Sequence, residues 1–321
     1  MQTHQAVDPS KMRAADFLKV QGEIEQSKLR AILAGSGWKE IQTCPVCGTT
    51  ESRPEFEKHS VKYVCCLTCD TRYTSQVAAN LDDVYRSPCY LSYSKEDSDD
   101  HYNYRRERSV RERVGILERY CGDLTEKRLL DVGCGNGYFL SVAMEKCRHC
   151  FSTEFSEKLR EFTESKTGIT VYNKRLEQLP EHDFDIVTLF DVIEHIPAPL
   201  PFMHAVDRIL RPGGSVLIFT PNFDSFSIRV MREYSSIIDP TEHVVLYTLF
   251  SLHFLAGKLG YTVVYEETQG LDVVNVLSMQ QFKREPQDNY LIEWIYELQA
   301  MINASRCGDG HDPHFSNHLE G

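Results

Sequence analysis

The run Leu129-Leu130-Asp131-Val132-Gly133-Cys134-Gly135-Asn136-Gly137 constrains this chain more than any other segment. An apolar strand pattern enters three glycines at alternate positions, and a helical pattern follows. Glycine lets the backbone turn sharply and approach a ligand closely, and a helix start offers free N–H groups. The spacing differs from the Gly-x-Gly-x-x-Gly of dinucleotide folds and lacks the Lys-Ser or Lys-Thr of a P-loop. Around it, strand segments at 128–132, 150–155, 169–172, 185–190 and 214–220 alternate with helices near 137–146, 156–166 and 200–210. Short Val/Ile/Leu-rich strands spaced by helices predict an α/β fold whose parallel sheet is covered on both faces. After 247 the pattern predicts a helix, then strands near 261–267 and 273–282, paired antiparallel through a connection at Gly270. Residues 288–304 read as a terminal helix, and the polar tail from Ser305 as disordered.

Upstream, residues 1–42 form an extension with loose helical periodicity over 11–34. Residues 43–80 hold a dense cysteine cluster. Cys44-Pro-Val-Cys47 and Cys66-Leu-Thr-Cys69 are Cys-x2-Cys pairs separated by eighteen residues, which suits a tetrahedral zinc ribbon. Four thiolates would close the metal's coordination sphere, so the expected role is structural. The metal would also hold a piece too small to bury its own core. Cys65 leaves the second pair open, because Cys65-x3-Cys69 is a less regular alternative. Cys147-Arg-His-Cys150 has the same spacing but no matching partner, and reads as ordinary thiols. Residues 81–120 form a tyrosine-rich linker or lid, with Tyr85, Tyr90 and Tyr93, and then a basic helix from Arg105 to Tyr120.

Five motifs in register then carry a family resemblance. They are the acid and glycines of Asp131–Gly137, the acid Glu154 at a strand end, Leu176-Glu-Gln-Leu-Pro180, the strand Phe184–Ile196 with its Glu194-His195-Ile196 ending, and Leu210-Arg-Pro-Gly-Gly214. Together they resemble the class I S-adenosylmethionine-dependent methyltransferases over about 128–282. The resemblance implies a Rossmann-like, seven-stranded sheet, mostly parallel with the last strand antiparallel, over 121–285. It also implies S-adenosylmethionine as cofactor, held by Asp131, Gly133, Gly135, Gly137, Glu154, Phe155, Leu176, Phe190 and Asp191. The family often binds the adenine amino group with an acid just before Leu-Pro. Here that position falls on Arg175, which shifts adenine recognition toward the backbone at Leu176. The ribbon, the tyrosine stretch and the segments Thr220–Ser225 and Glu242–Tyr247 are similar to a bacterial group that includes sugar methyltransferases.

Methyl transfer to a hydroxyl requires a positioned nucleophile and removal of its proton. His243 and His195 are the candidate bases, both expected at the carboxyl ends of the strands, where such folds bind ligands. A capping or packing role next to Glu194 stands beside the catalytic one for His195, and a loop-anchoring role for His243. The expected acceptor is a small molecule such as a sugar or secondary metabolite. An RNA or protein methyltransferase and a non-catalytic zinc-bearing binding module are the rivals. A net charge of −12 disfavours nucleic acid, and the intact glycines disfavour a binding module. Eleven cysteines, no span-length apolar run and a polar start predict a cytoplasmic chain with reduced thiols and no membrane segment.

Overall fold

The computed structural model describes residues 17–35, 37–81, 99–283, 294–308, 310–311 and 314–316. Helix α1 (Phe17–Ala34) precedes five short strands, β1 (Trp38–Glu40), β2 (Ser52–Lys58), β3 (Val61–Cys66), β4 (Arg72–Thr74) and β5 (Gln76–Ala78). Helix α2 (Asp99–Ser109) leads through one wide turn of π-helix, Val110–Val114, into α3 (Gly115–Cys121). The expected single basic helix is therefore broken in its middle. The strand–helix alternation then runs β6 (Arg128–Val132), α4 (Leu140–Ala143), β7 (His149–Thr153), α5 (Glu157–Thr167), β8 (Val171–Tyr172), β9 (Phe184–Phe190), α6 (Pro199–Ile209) and β10 (Leu210–Pro221).

Strands β10, β9, β6, β7 and β8 lie side by side in that order, all parallel. Side chains alternate between faces along a strand. Here Leu130, Val132, Val187 and Leu189 feed one buried cluster, while Leu129, Ile186, Phe190 and Leu217 feed another. Both faces of the sheet are covered, as the continuous apolar strands predict. This is the Rossmann-like sheet expected from the sequence.

The far edge differs from expectation. After α7 (Phe226–Met231), β11 (Val245–Leu246) and α8 (Leu249–Leu259) come β12 (Thr262–Tyr265) and β13 (Thr268–Gln269). The segment read as a strand over 273–282 is instead helix α9 (Asp272–Phe282). Its buried residues Val273, Val276 and Leu277 recur at helical spacing, so tertiary burial overrides their β preference. Asp272 also accepts the Ser227 N–H at 2.8 Å, which anchors the helix start. After α10 (Ile295–Ala304), the tail read as disordered contributes β14 (Gly310–His311) and β15 (His314–Ser316). Strand β15 inserts antiparallel between β10 and β12 and completes the seven-stranded path. Composition hides this role. Gly310 sits where a Cβ would come within 2.5 Å of the Phe219 ring, so glycine serves close packing there.

Strands β2, β3 and β4 form an antiparallel ribbon, and β11 joins its edge, pairing Val245 with Tyr73 and Leu246 with Arg72. Cys44, Val46, Cys66 and Cys69 share one apolar cluster with Leu130, Val187, Val244 and Tyr247. The ribbon and the large sheet therefore bury a common core.

Candidate active site

The carboxyl ends of β6, β7 and β9 meet at the glycine loop. Gly133, Gly135 and Gly137 all have positive φ, at 67°, 53° and 71°. Gly137 has no room for a side chain, since a Cβ would lie 2.6 Å from Thr163. Thr163 donates to the Gly135 carbonyl at 2.8 Å, which fixes the loop against α5. Glu154 ends at the loop's mouth, accepting the Gly135 N–H at 3.1 Å and the Ser156 N–H at 2.8 Å. Burial raises its pKa, and these N–H groups partly offset that.

Asp131 is buried beneath the loop and accepts the Thr188 hydroxyl at 2.7 Å. Burial pushes its carboxyl up to about 7, against the opposing pull of that hydroxyl and of Arg113. Arg113 lies in the π turn, with its guanidinium 4.1 Å from the Phe190 ring centre. Phe190 also meets Phe139 edge-on at 4.8 Å. Asp191 follows β9 with a left-handed φ of 54° and is exposed. The surrounding protein raises its pKa, while Arg113 and His243 draw it back. Aspartate tolerates this left-handed conformation better than most residues. Tyr102 stacks at 5.0 Å on Tyr138 of the same loop, and its hydroxyl is buried without a hydrogen-bond partner.

The structure brings the two candidate histidines together. Their ring centres lie 4.8 Å apart in an edge-on arrangement. The His243 ring places Nδ1 2.6 Å from the Ile237 carbonyl. A carbonyl only accepts, so Nδ1 carries the hydrogen, and in the tautomer with one ring proton Nε2 is the acceptor. Backbone contacts hold the segment, with His243 N–H donating to Asp239 O and Val244 N–H to Glu194 O. The Tyr63 hydroxyl from the ribbon donates to the His243 carbonyl at 3.0 Å. His195 is more enclosed, and burial drives its pKa well below the usual histidine value, with His243 and Lys28 adding to the fall.

Glu194 is 1% exposed; one oxygen accepts the Thr220 hydroxyl at 2.9 Å and the other has no hydrogen-bond partner. Burial raises its pKa well above normal. Glu194, His195 and His243 place ligand atoms within 4.8 Å of one another, a donor set able to hold a divalent cation.

The second ligand set is Cys44, Cys47, Cys66 and Cys69, whose sulfurs also lie within 4.8 Å of one another. Two sulfur pairs, Cys44–Cys69 and Cys47–Cys66, are 3.4 Å apart. Zinc–sulfur bonds of about 2.3 Å in a tetrahedron require sulfurs about 3.8 Å apart, so the set fits zinc with small movement. The two knuckles repeat one backbone design. Cys44 and Cys66 carbonyls accept from Gly48 and Asp70, while their N–H groups donate to Thr49 and Thr71. Cys65 points away from this cluster, with its thiol 3.7 Å from Asp70. Adjacent strand residues face opposite ways, which is why Cys66 joins the cluster and Cys65 does not.

Other expected residues sit apart from these contacts. Leu176 is buried in a short 3-10 turn, Leu176–Gln178. The Phe155 carbonyl accepts Arg160 at 2.7 Å. Tyr85, Tyr90 and Tyr93 lie outside the described residues. Sequence reading passes over Arg113 and Lys28. Arg113 belongs to a run of arginines, and only the π turn distinguishes it. Lys28 meets its partner Glu242 across 214 residues of sequence, a pairing that no local pattern reveals.

The comparisons with known proteins agree with this architecture. The chain is 29% identical over 141 residues to a ubiquinone biosynthesis O-methyltransferase of Idiomarina loihiensis, covering 41% of this chain and 56% of that protein. A protein of the same description from Bordetella bronchiseptica is 30% identical over 153 residues, covering 40% and 64%. The chain thus spans about half the length of the curated relatives it matches. Among solved structures, magnesium protoporphyrin IX methyltransferase from Synechocystis shares the fold, with a TM-score of 0.50 at 12% identity, covering 74% of this chain and 97% of that one. A family model described as a methyltransferase domain matches residues 101–266, just over half of the sequence, and the chain belongs to that family.

Proposed function

We propose that this chain is an S-adenosylmethionine-dependent O-methyltransferase acting on a small-molecule hydroxyl, such as that of a sugar or secondary metabolite. The observation that supports this best is the His243 ring, anchored at Nδ1 by Ile237 so that Nε2 is the acceptor of the neutral ring. The relatives described as O-methyltransferases support oxygen as the methylated atom. Bound S-adenosylmethionine supplies an electrophilic methyl group on its sulfonium.

The residues present fit that cofactor. The left-handed glycines open the backbone to it, Glu154 offers a carboxylate to its ribose hydroxyls, and on this reading Phe155, Phe190, Asp191 and the backbone at Leu176 take the rest. Arg113, packed over Phe190, and the unpartnered Tyr102 hydroxyl beside Tyr138 suit the carboxylate of the methionine portion. His243 then takes the acceptor's proton as the oxygen becomes nucleophilic, while His195, held neutral by burial, packs the base in place. Cys44, Cys47, Cys66 and Cys69 hold one structural zinc, a reading that suits a reducing, cytoplasmic setting. The cofactor domain spans 121–285, completed by β14 and β15.

Recruitment of RNA or protein by the ribbon is the weaker reading. The β4 edge of the ribbon is occupied by β11, and the Tyr63 hydroxyl supports the His243 backbone. Among the described residues no helix is long and apolar enough to cross a membrane. The test is a screen with methyl-labelled S-adenosylmethionine against metabolite fractions of the native host. Label in a hydroxyl-bearing small molecule supports the reading; label appearing only in RNA or protein overturns it.

A further inference from the structure

We propose that Lys28, on the N-terminal helix α1, is a positioning residue that fixes the orientation of the His243 ring by holding the loop that precedes it. This inference rests on the reading of His243 as the base.

Lys28 is 1% exposed although it carries a full charge on a surface-type helix. Its ammonium reaches across the fold to the loop that ends in His243. It contacts the Glu242 carboxylate and lies 3.5 Å from Asp239. Asp239 is also the residue whose carbonyl accepts the His243 N–H, at 2.8 Å. Its side chain accepts the Thr241 N–H at 2.9 Å and the Thr241 hydroxyl at 2.6 Å. The ion pair therefore grips the loop on both sides of Thr241, immediately before the histidine. Gln21, two turns earlier on α1, donates to the Ser236 carbonyl at 2.9 Å and holds the loop's other end.

A buried charge is tolerated only when paired, so this arrangement specifies one seating of α1 on the loop. Attraction to the two carboxylates outweighs burial and raises the Lys28 pKa, so the ammonium stays charged. Burial alone would raise Asp239, but Lys28 and His243 bring it below normal.

The groups facing the two rings come from several elements. Asp191 and Glu194 follow β9, Asp239 and Glu242 lie in the loop, and Lys28 comes from α1. A further layer behind Asp239 contains Glu25 on α1, with Lys58 at 2.9 Å and His59 at 3.4 Å, and the Tyr63 hydroxyl. Within this set Lys28 is the cation that contacts both Asp239 and Glu242. Helix α1 thereby fixes the backbone from which the His243 ring projects.

The test is nitrogen-15 NMR of the histidine rings in the full-length protein, comparing wild type with Lys28→Met and Lys28→Arg. In wild type His243 is expected to show a single tautomer, protonated at Nδ1. Lys28→Met is expected to replace the single His243 tautomer by a mixture. Lys28→Arg, which keeps the charge, is expected to restore most of the single-tautomer signal. Zinc content and calorimetric affinity for S-adenosylmethionine serve as folding controls. If Lys28→Met does not fold, Lys28→Met combined with Glu242→Gln removes the buried charge imbalance and is read for the same His243 signal. Folded protein with either variant set and a wild-type His243 signal overturns the proposal. A changed His243 signal in Lys28→Met alongside full turnover in His243→Ala leaves the positioning role intact and removes the base assignment.

Discussion

Single residues at the glycine loop carry measurable consequences. Asp131 keeps its proton in the folded chain up to about pH 7, whereas an unfolded aspartate releases it near 4. Between those values the native state binds more protons than the unfolded one. Stability from this group is therefore full below about pH 4 and declines as pH rises through 4 to 7, by on the order of 4 kcal/mol. Asp131→Asn retains an acceptor for Thr188 and should flatten that slope in chemical denaturation; parallel slopes for the two proteins would show that Asp131 does not titrate this way. Gly137→Ala brings a methyl within 2.6 Å of Thr163, so a loss of about 1–3 kcal/mol and weakened cofactor affinity are expected by melting and calorimetry. The glycine loop is legible in the sequence because its turn depends on short spacing, and Glu154, His195 and His243 are legible as candidates because each falls at or after a strand end. Lys28 and Arg113 are not, since each acquires its role from a partner distant in sequence.

At the scale of elements, the ribbon and the tail do more than their composition suggests. Thr74 N–H donates to Val244 O at 3.0 Å, and β4 pairs with β11, so the four-cysteine ribbon buttresses the segment beside His243. Removing the proposed zinc with a chelator is expected to lower methyl transfer at least tenfold while cofactor affinity stays within twofold. Zinc-free protein with full turnover would separate the ribbon from the reaction. The parallel strands β6 to β10 are readable from their apolar runs. Helix α9 reads as a strand because Val273, Val276 and other β-formers pack at helical spacing, and β15 escapes notice because a polar tail gives no strand period. Gly310→Ala tests the tail directly. Its methyl would press on Phe219, and a fall in melting temperature corresponding to about 1–3 kcal/mol is expected. An unchanged melting temperature would place the tail outside the sheet.

Across the whole molecule, three parts of the chain meet around His243. The large sheet supplies Glu194-His195, the ribbon supports His243 through Tyr63, and α1 reaches the loop before His243 through Lys28. The ribbon and the large sheet share an apolar core, and the buried Lys28 contacts tie α1 to the loop. The −12 charge suits a small-molecule acceptor better than a polyanion. On the proposed function, this site transfers a methyl group with His243 as base. The most direct measurement compares methyl-label transfer into the acceptor fraction by wild type and His243→Ala at saturating cofactor. The expected result is a drop in turnover of roughly 10²–10⁴-fold with cofactor affinity nearly unchanged, the usual cost of losing a general base. Equal turnover by the two proteins would contradict it.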